Sequence, residues 1–223
     1  MQEEKIQQDW DNYWLAQNND SFFSKFCTFH RKYVISFMVR NIVERYFPRE
    51  GIFIECGSGS TESSSRIIHH QRKFIALDIS VTALQRGRVI GFADHFLCGN
   101  IFHLPLKNDS VDGIWNLGVM EHFHEKEIVA LLNEFYRIAK KGSYVVLFWP
   151  PVFGSTQMVL NSVEAVYNRI SRSKKIQFFP DEVSVLRSRK HAEQIVSQTP
   201  FRLQKTHFSP RDVYTYYTVV LQK

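Results

Sequence analysis

The chain has 223 residues, 44% of them hydrophobic and 22% charged, with a formal net charge of +6. That balance is typical of a globular protein, and the length predicts one domain rather than two. No apolar run approaches the ~20 residues a membrane-spanning helix needs, and the polar opening Met1-Gln2-Glu3-Glu4-Lys5 argues against a secretory leader, so a cytoplasmic location is expected.

In chain order, Trp10, Tyr13 and Trp14 sit on a predicted N-terminal helix. A second amphipathic helix is predicted from about Ser24 to Phe47, with Phe26, Phe29, Val34, Phe37, Met38, Ile42, Val43 and Tyr46 on its apolar side and Pro48 as its stop. Ile52-Phe53-Ile54 then reads as a buried strand that runs through Glu55-Cys56-Gly57-Ser58-Gly59-Ser60-Thr61 into a glycine turn and a helix. Phe74-Ile75-Ala76-Leu77, closed by Asp78, is a second strand, and Ser80 is a natural N-cap for a helix from Val81 to about Ile90.

The alternation continues with strands at Phe96–Asn100 and Val111–Asn116 and a helix from Ile128 to Ala139. Lys140-Lys141-Gly142 is the expected end of that helix, with cations and a glycine where the dipole and the cap favour them. Ser143–Phe148 is a fifth strand, cut off by Pro150-Pro151. Strands alternating with helices at short spacing imply parallel βαβ units and a doubly wound α/β sheet. After Gly154 the rhythm changes. A helix-like stretch covers Met158–Ile170, a further helix is expected over Ser188–Val196, and the runs Phe201–His207 and Val213–Leu221 look like the last strands of the same sheet. A single domain over 1–223 is therefore expected, with N-terminal helices or a lid in 1–50, a cofactor-binding core in 51–154, and a lid insertion plus C-terminal strands in 155–223.

The first βα turn holds the most chemistry. Glycines after a buried strand let backbone approach a ligand, and Asp78 follows Gly59 by 19 residues at the end of the second strand, where a carboxylate can accept both ribose hydroxyls of an adenosine. A nicotinamide dinucleotide would satisfy those features equally. Glu55 separates the two cases. A dinucleotide places pyrophosphate near this turn and gains nothing from a carboxylate, whereas S-adenosylmethionine presents an ammonium and a sulfonium charge.

With these residues in place the chain resembles the class I S-adenosylmethionine-dependent methyltransferases, and in particular the group called methyltransferase type 11. The likeness runs from about Gly51 to Pro150. It rests on Glu55-Cys56-Gly57-Ser58-Gly59, Asp78-Ile79-Ser80, Gly99-Asn100-Ile101-Phe102-His103-Leu104-Pro105, Ser110-Val111-Asp112-Gly113-Ile114-Trp115-Asn116 and Val119-Met120-Glu121-His122-Phe123. The resemblance implies a Rossmann-like, doubly wound seven-stranded sheet, mostly parallel with an antiparallel last strand, and helices on both faces. It implies that Glu55, Cys56, Gly57, Ser58, Gly59 and Thr61 form the cofactor turn and that Asp78 holds the ribose with Ile79 on the adenine. Asn100 and Ile101 would read the adenine edge, and Asn116, Leu117 and Val119 would line the sulfonium end. Thr61 stands where many members have a third glycine, and Asn100 where aspartate is usual.

His122 is the expected general base, ahead of His124 and His103. Tyr13, Trp14 and Trp149 are expected to contact the acceptor, Trp149 because it lies at the carboxyl edge of the sheet. Asn116-Leu117-Gly118-Val119 lacks the Pro-Pro-aromatic motif of enzymes that methylate exocyclic base amines, so a small-molecule or lipid-like acceptor is expected instead. The charge excess is confined to the last third, with 17 basic against 17 acidic residues to Gly154 and 11 against 5 beyond it. It carries no interleaved aromatics, so tight nucleic-acid binding is not expected. Three scattered cysteines, Cys27, Cys56 and Cys98, fit neither a disulfide framework nor a zinc site. The competing functions are a non-catalytic cofactor-binding partner subunit and, with less support, a nicotinamide-dependent oxidoreductase; no Tyr-x-x-x-Lys constellation accompanies the latter.

Overall fold

The computed structural model describes residues 2–16, 28–151, 183–208 and 215–223. The expected lid insertion, its Met158–Ile170 helix, Cys27 and the start of the second helix at Ser24 lie outside the described residues.

Seven strands form one sheet: β1 (Glu50–Cys56), β2 (Gln71–Asp78), β3 (His95–Cys98), β4 (Val111–Leu117), β5 (Ala139–Trp149), β6 (Arg202–His207) and β7 (Tyr217–Gln222). Their spatial order is β3-β2-β1-β4-β5-β7-β6. β1 to β5 pair in parallel, and β7 runs antiparallel between β5 and β6. The expected doubly wound topology with an antiparallel last strand is what forms. Strand order reverses between β1 and β4, which opens a crevice at their carboxyl ends.

The helices are α1 (Gln2–Ala16), α2 (Ser36–Tyr46), α3 (Val81–Ile90), α4 (Glu125–Ile138) and α5 (Arg189–Val196). Inner strands are apolar on both faces because both are covered. Ile54, Ile114, Val145 and Leu147 meet Ile128, Leu131, Leu132 and Phe135 of α4 and Ile195 of α5. On the other face Phe53, Phe74, Trp115 and Phe148 meet Met38, Val39 and Val43 of α2. Each such side chain contributes ~1.5–3 kcal/mol by leaving water.

Three local expectations are corrected. The second helix begins as a π-helical turn, His30–Ile35, before α2. The Ser36 hydroxyl donates to the Lys32 carbonyl, and the Ser36 N–H reaches back to the Arg31 carbonyl instead. The extra residue shifts the helical phase, so Phe29 and Phe37 are exposed while Ile35 and Val39 are buried.

No full helix follows the glycine turn; there is a single 3-10 turn, Glu62–Ser64. The serines here bond locally rather than supporting a helix. Ser65 Oγ donates to the Glu62 carbonyl at 2.7 Å, and Ser64 Oγ donates to Glu55 Oε1 at 2.7 Å.

Lys140-Lys141-Gly142 does not cap α4 but opens β5, since Ala139 is already extended. Lys140 Nζ is held by both Asp112 oxygens at 2.9 and 2.8 Å, and the Gly142 N–H donates to the Lys223 carbonyl at 2.9 Å. Ser80 caps α3 as expected, accepting from the Ala83 N–H.

Candidate active site

The turn after β1 is built for backbone alone. Gly57 and Gly59 have φ of +72° and +51°. A Cβ on Gly57 would lie 2.5 Å from Val119 Cγ2, and one on Gly59 would lie 2.6 Å from Trp14 Cζ2. The N–H groups of Gly57 and Ser58 both donate to the Leu77 carbonyl, at 2.8 and 2.9 Å, which ties the turn to the end of β2. Thr61 occupies the left-handed region at φ +59°, the conformation a glycine there would adopt without strain.

Asp78 does more than the sequence suggested. Its Oδ2 accepts the Gly59 N–H at 2.7 Å and its Oδ1 the Ser80 N–H at 2.8 Å, so the carboxylate joins the glycine turn to the start of α3. Burial pushes its pKa up to about 6, opposed by those two N–H groups.

Glu55 lies on the face of β1 that carries Phe53 and is 2% exposed. Trp115 Nε1 donates to Ser64 Oγ at 3.1 Å, and Ser64 passes a hydrogen bond to Glu55 Oε1. Glu55 Oε2 is buried and has no hydrogen-bond partner among the described residues. Burial raises this carboxyl to about 8, with Ser64 pulling the other way. Asn116, fully buried in β4, likewise has no partner for either amide atom among the described residues. Unpartnered buried polar atoms are costly unless a ligand meets them. Cys56 sits in the core, where burial pushes its thiol pKa well up and leaves it unreactive.

α1 lies across this crevice. Residues 3, 7, 11 and 14 share one helical face, and each meets the site. Asn100 Nδ2 donates to Glu3 Oε1, while Asn100 Oδ1 accepts the Phe102 N–H at 2.9 Å. Gln7 Nε2 donates to Cys98 Sγ at 3.7 Å. Asp11 Oδ1 accepts from Ser80 Oγ at 2.6 Å and from the Thr82 N–H at 2.9 Å. Trp14 lies against Gly59, and Trp10 meets the His122 ring edge-on at 5.1 Å. Tyr13 packs edge-on between Trp10 and Trp14, at 5.5 and 5.8 Å.

The structure thus gathers Glu55, Gly57, Ser58, Gly59, Thr61, Asp78, Val119 and Trp14 around one turn, with Asn100 bonded to α1 and His122 edge-on to its Trp10. Ile79, Ile101 and Leu117 are half-buried at the same strand ends. Trp149 is the exception. It is 1% exposed, packed in the α4–α5 core, and its Nε1 donates to the Ser184 carbonyl at 3.0 Å, so among the described residues it meets the core rather than the glycine turn. Sequence reasoning missed Ser64, Glu3, Gln7 and Asp11. The three on α1 were legible only as a polar helix face, which carries no signal of what it will touch.

Residues 54–147 match the model of a family described as a methyltransferase domain. A malonyl-[acyl-carrier protein] O-methyltransferase of Yersinia pestis is 35% identical over 94 residues, 42% of this chain and 33% of that protein. An uncharacterised protein of Methanocaldococcus jannaschii is 36% identical over 74 residues, 33% of this chain and 30% of that one. The matched segment therefore spans about a third of the length of these curated relatives. Among solved structures, magnesium protoporphyrin IX methyltransferase from Synechocystis with bound S-adenosylhomocysteine aligns over 99% of this chain and 98% of that one, with a TM-score of 0.63 and 16% identity. A SAM-dependent methyltransferase from Aquifex aeolicus aligns over 87% and 92%, with a TM-score of 0.58 and 14% identity. At these identities the likeness is one of fold. The segment that matches the family model runs from the end of β1 through most of β5, and α1, β6 and β7 lie outside it.

Proposed function

We propose that this chain transfers a methyl group from S-adenosylmethionine to a small-molecule or lipid-like acceptor. The observation that carries this is Glu55 Oε2, buried and without a hydrogen-bond partner among the described residues, beside a turn that admits no side chain and within the segment that matches a methyltransferase-domain model. The cofactor fits these residues because it brings a cation to a carboxyl that otherwise has no reason to be buried. When bound, it supplies an already activated methyl group on sulfonium.

The protein's own tasks are then to bind, orient and exclude water. Gly57, Ser58 and Gly59 let backbone approach the ligand, with Cys56 and Thr61 fixing the two ends of the turn. Asp78 faces the ribose, with Ile79 and Ile101 on the flat sides of the base and Asn100 at its edge. Asn116, Leu117 and Val119 surround the methyl end, and α1 with Tyr13 and Trp14 covers it. An acceptor of this class is supported by the names of two similar proteins, which methylate malonyl-[acyl-carrier protein] and magnesium protoporphyrin IX. No helix among the described residues is long and apolar enough to cross a membrane.

The reading is tested by incubating the protein with methyl-labelled S-adenosylmethionine and a cell extract fractionated into lipids, small molecules, proteins and nucleic acids. Label in the lipid or small-molecule fraction is expected. Label confined to nucleic acid would overturn the acceptor class.

A further inference from the structure

α1 crosses the carboxyl ends of three strands in order. Glu3 meets Asn100 just beyond β3, Gln7 meets Cys98 at the end of β3, Asp11 meets Ser80 beyond β2, and Trp14 meets Gly59 beyond β1. From residue 3 to residue 14 the helix rises ~16 Å. Its register is set by Asp11, whose Oδ1 accepts from both the Ser80 hydroxyl and the Thr82 N–H, at 2.6 and 2.9 Å. Residues 3, 7 and 11 share one helical face, so that anchor delivers Glu3 to the loop after β3.

Asn100 is oriented by its own loop. Its Oδ1 accepts the Phe102 N–H at 2.9 Å, an Asx turn that decides which amide atom faces outward. The outward atom is Nδ2, which carries two hydrogens, and one of them goes to Glu3 Oε1. Among the described residues the second Nδ2 hydrogen and Glu3 Oε2 make no further hydrogen bond. Glu3 is exposed and Asn100 half-buried, so both remain within reach of a ligand. The pair therefore presents a donor and an anionic acceptor side by side at the end of β3.

Adenine carries the complement, a ring nitrogen that accepts beside a 6-amino group that donates. Asn100 alone, locked with its nitrogen outward, serves the ring nitrogen but offers the amino group no acceptor. We propose that Glu3 is a specificity-determining residue: Asn100 donates to a ring nitrogen of the cofactor's adenine, Glu3 accepts from its 6-amino group, and together they select adenine over a 6-oxopurine. This rests on the methyl-transfer reading above, which puts Asn100 at the edge of the base. A 6-oxopurine would turn an oxygen lone pair toward the Glu3 carboxylate, and a site built to receive an N–H rejects a ligand that lacks it. Glu3 belongs to α1, outside the segment that matches the family model, so reading the base and covering it use the same helix.

The test is competition calorimetry of the whole chain with S-adenosylhomocysteine and with S-inosylhomocysteine, the same thioether carrying a 6-oxygen in place of the 6-amino group. Wild type is expected to prefer the adenine ligand about ten- to hundredfold, the range for one hydrogen bond to a charged group. Glu3→Gln keeps the side chain's length but converts the carboxylate into an amide that can donate to the 6-oxygen, so the preference should shrink at least about fivefold. Glu3→Ala, which removes both the attraction and the repulsion, should shrink it as well. A merely structural role for Glu3 would weaken both ligands equally and leave their ratio unchanged. That result, or a wild type that does not discriminate between the two, would overturn the proposal. Failure of S-adenosylhomocysteine to bind at all would instead count against the methyl-transfer reading.

Discussion

Cofactor binding should release a proton from Glu55. With its pKa raised to about 8 by burial, roughly a tenth of the Glu55 carboxyls are ionised at pH 7 in the free protein. If the ligand's cation is met by the ionised form, binding must first deprotonate the rest, which costs about 1.4 kcal/mol at pH 7 and about 2.7 at pH 6. The affinity therefore weakens close to tenfold for each pH unit below 8, and about 0.9 proton leaves for each ligand bound at pH 7. The ligand's own amino group titrates near this range as well, at about 7.7–8.0 for an ordinary α-amine. Glu55→Gln removes the carboxyl while keeping an oxygen for Ser64, so the difference between the two proteins cancels the ligand's contribution. The assay is calorimetry with S-adenosylmethionine in two buffers of different ionisation enthalpy. Wild type should release about 0.9 proton more than Glu55→Gln, and the variant should bind with a flatter pH profile. Equal proton counts would refute the placement of Glu55 against the cofactor's cation.

Three other outcomes follow from the same geometry. In the cofactor-free protein Glu55 binds its proton more tightly folded than unfolded, so the stability it contributes is complete below the unfolded value of 4.5 and is lost as pH rises through about 8; urea midpoints should fall less steeply between pH 5 and 8 in Glu55→Gln, and parallel curves would contradict this. Asp78→Ala strands the N–H groups of Gly59 and Ser80 at ~1–3 kcal/mol each and removes the ribose acceptor, so the melting temperature should drop and cofactor affinity fall at least tenfold; unchanged affinity would rule Asp78 out. Deleting residues 1–16 removes the polar contacts of Glu3, Gln7 and Asp11 but little of the two cores, so the sheet should survive while cofactor dissociation speeds up at least tenfold; an unchanged rate would mean that α1 does not cover the ligand.

The core was legible because its signals are periodic and local. Phe53-Ile54, Phe74–Leu77 and Val145–Phe148 are continuous apolar runs bounded by turn residues, and their alternation with amphipathic helices forces a parallel sheet. The glycine turn was legible because Gly57 and Gly59 are needed for their backbone alone. What was not legible depends on partners distant in sequence. Lys140-Lys141-Gly142 carries the chemistry of a helix end, yet pairing of Lys140 with Asp112 and of Gly142 with Lys223 draws it into β5. The phase slip before α2 comes from a single serine hydroxyl at position 36. Trp149 stands at a strand end that faces ligands in this fold, but α5 and Ser184 enclose it. Asp78 was assigned one task from its position and has a second, organising the turn, that only the coordinates of Gly59 and Ser80 reveal.

The central claim is that the crevice at β1, β2 and β4 binds S-adenosylmethionine. Titration calorimetry of the whole chain with S-adenosylmethionine, S-adenosylhomocysteine and NAD, repeated with Asp78→Ala, tests it most directly. Micromolar binding of both sulfur ligands, no binding of NAD, and at least a tenfold loss for both in the variant are predicted. Binding of NAD in preference to either sulfur ligand, or equal affinities in wild type and Asp78→Ala, would contradict it.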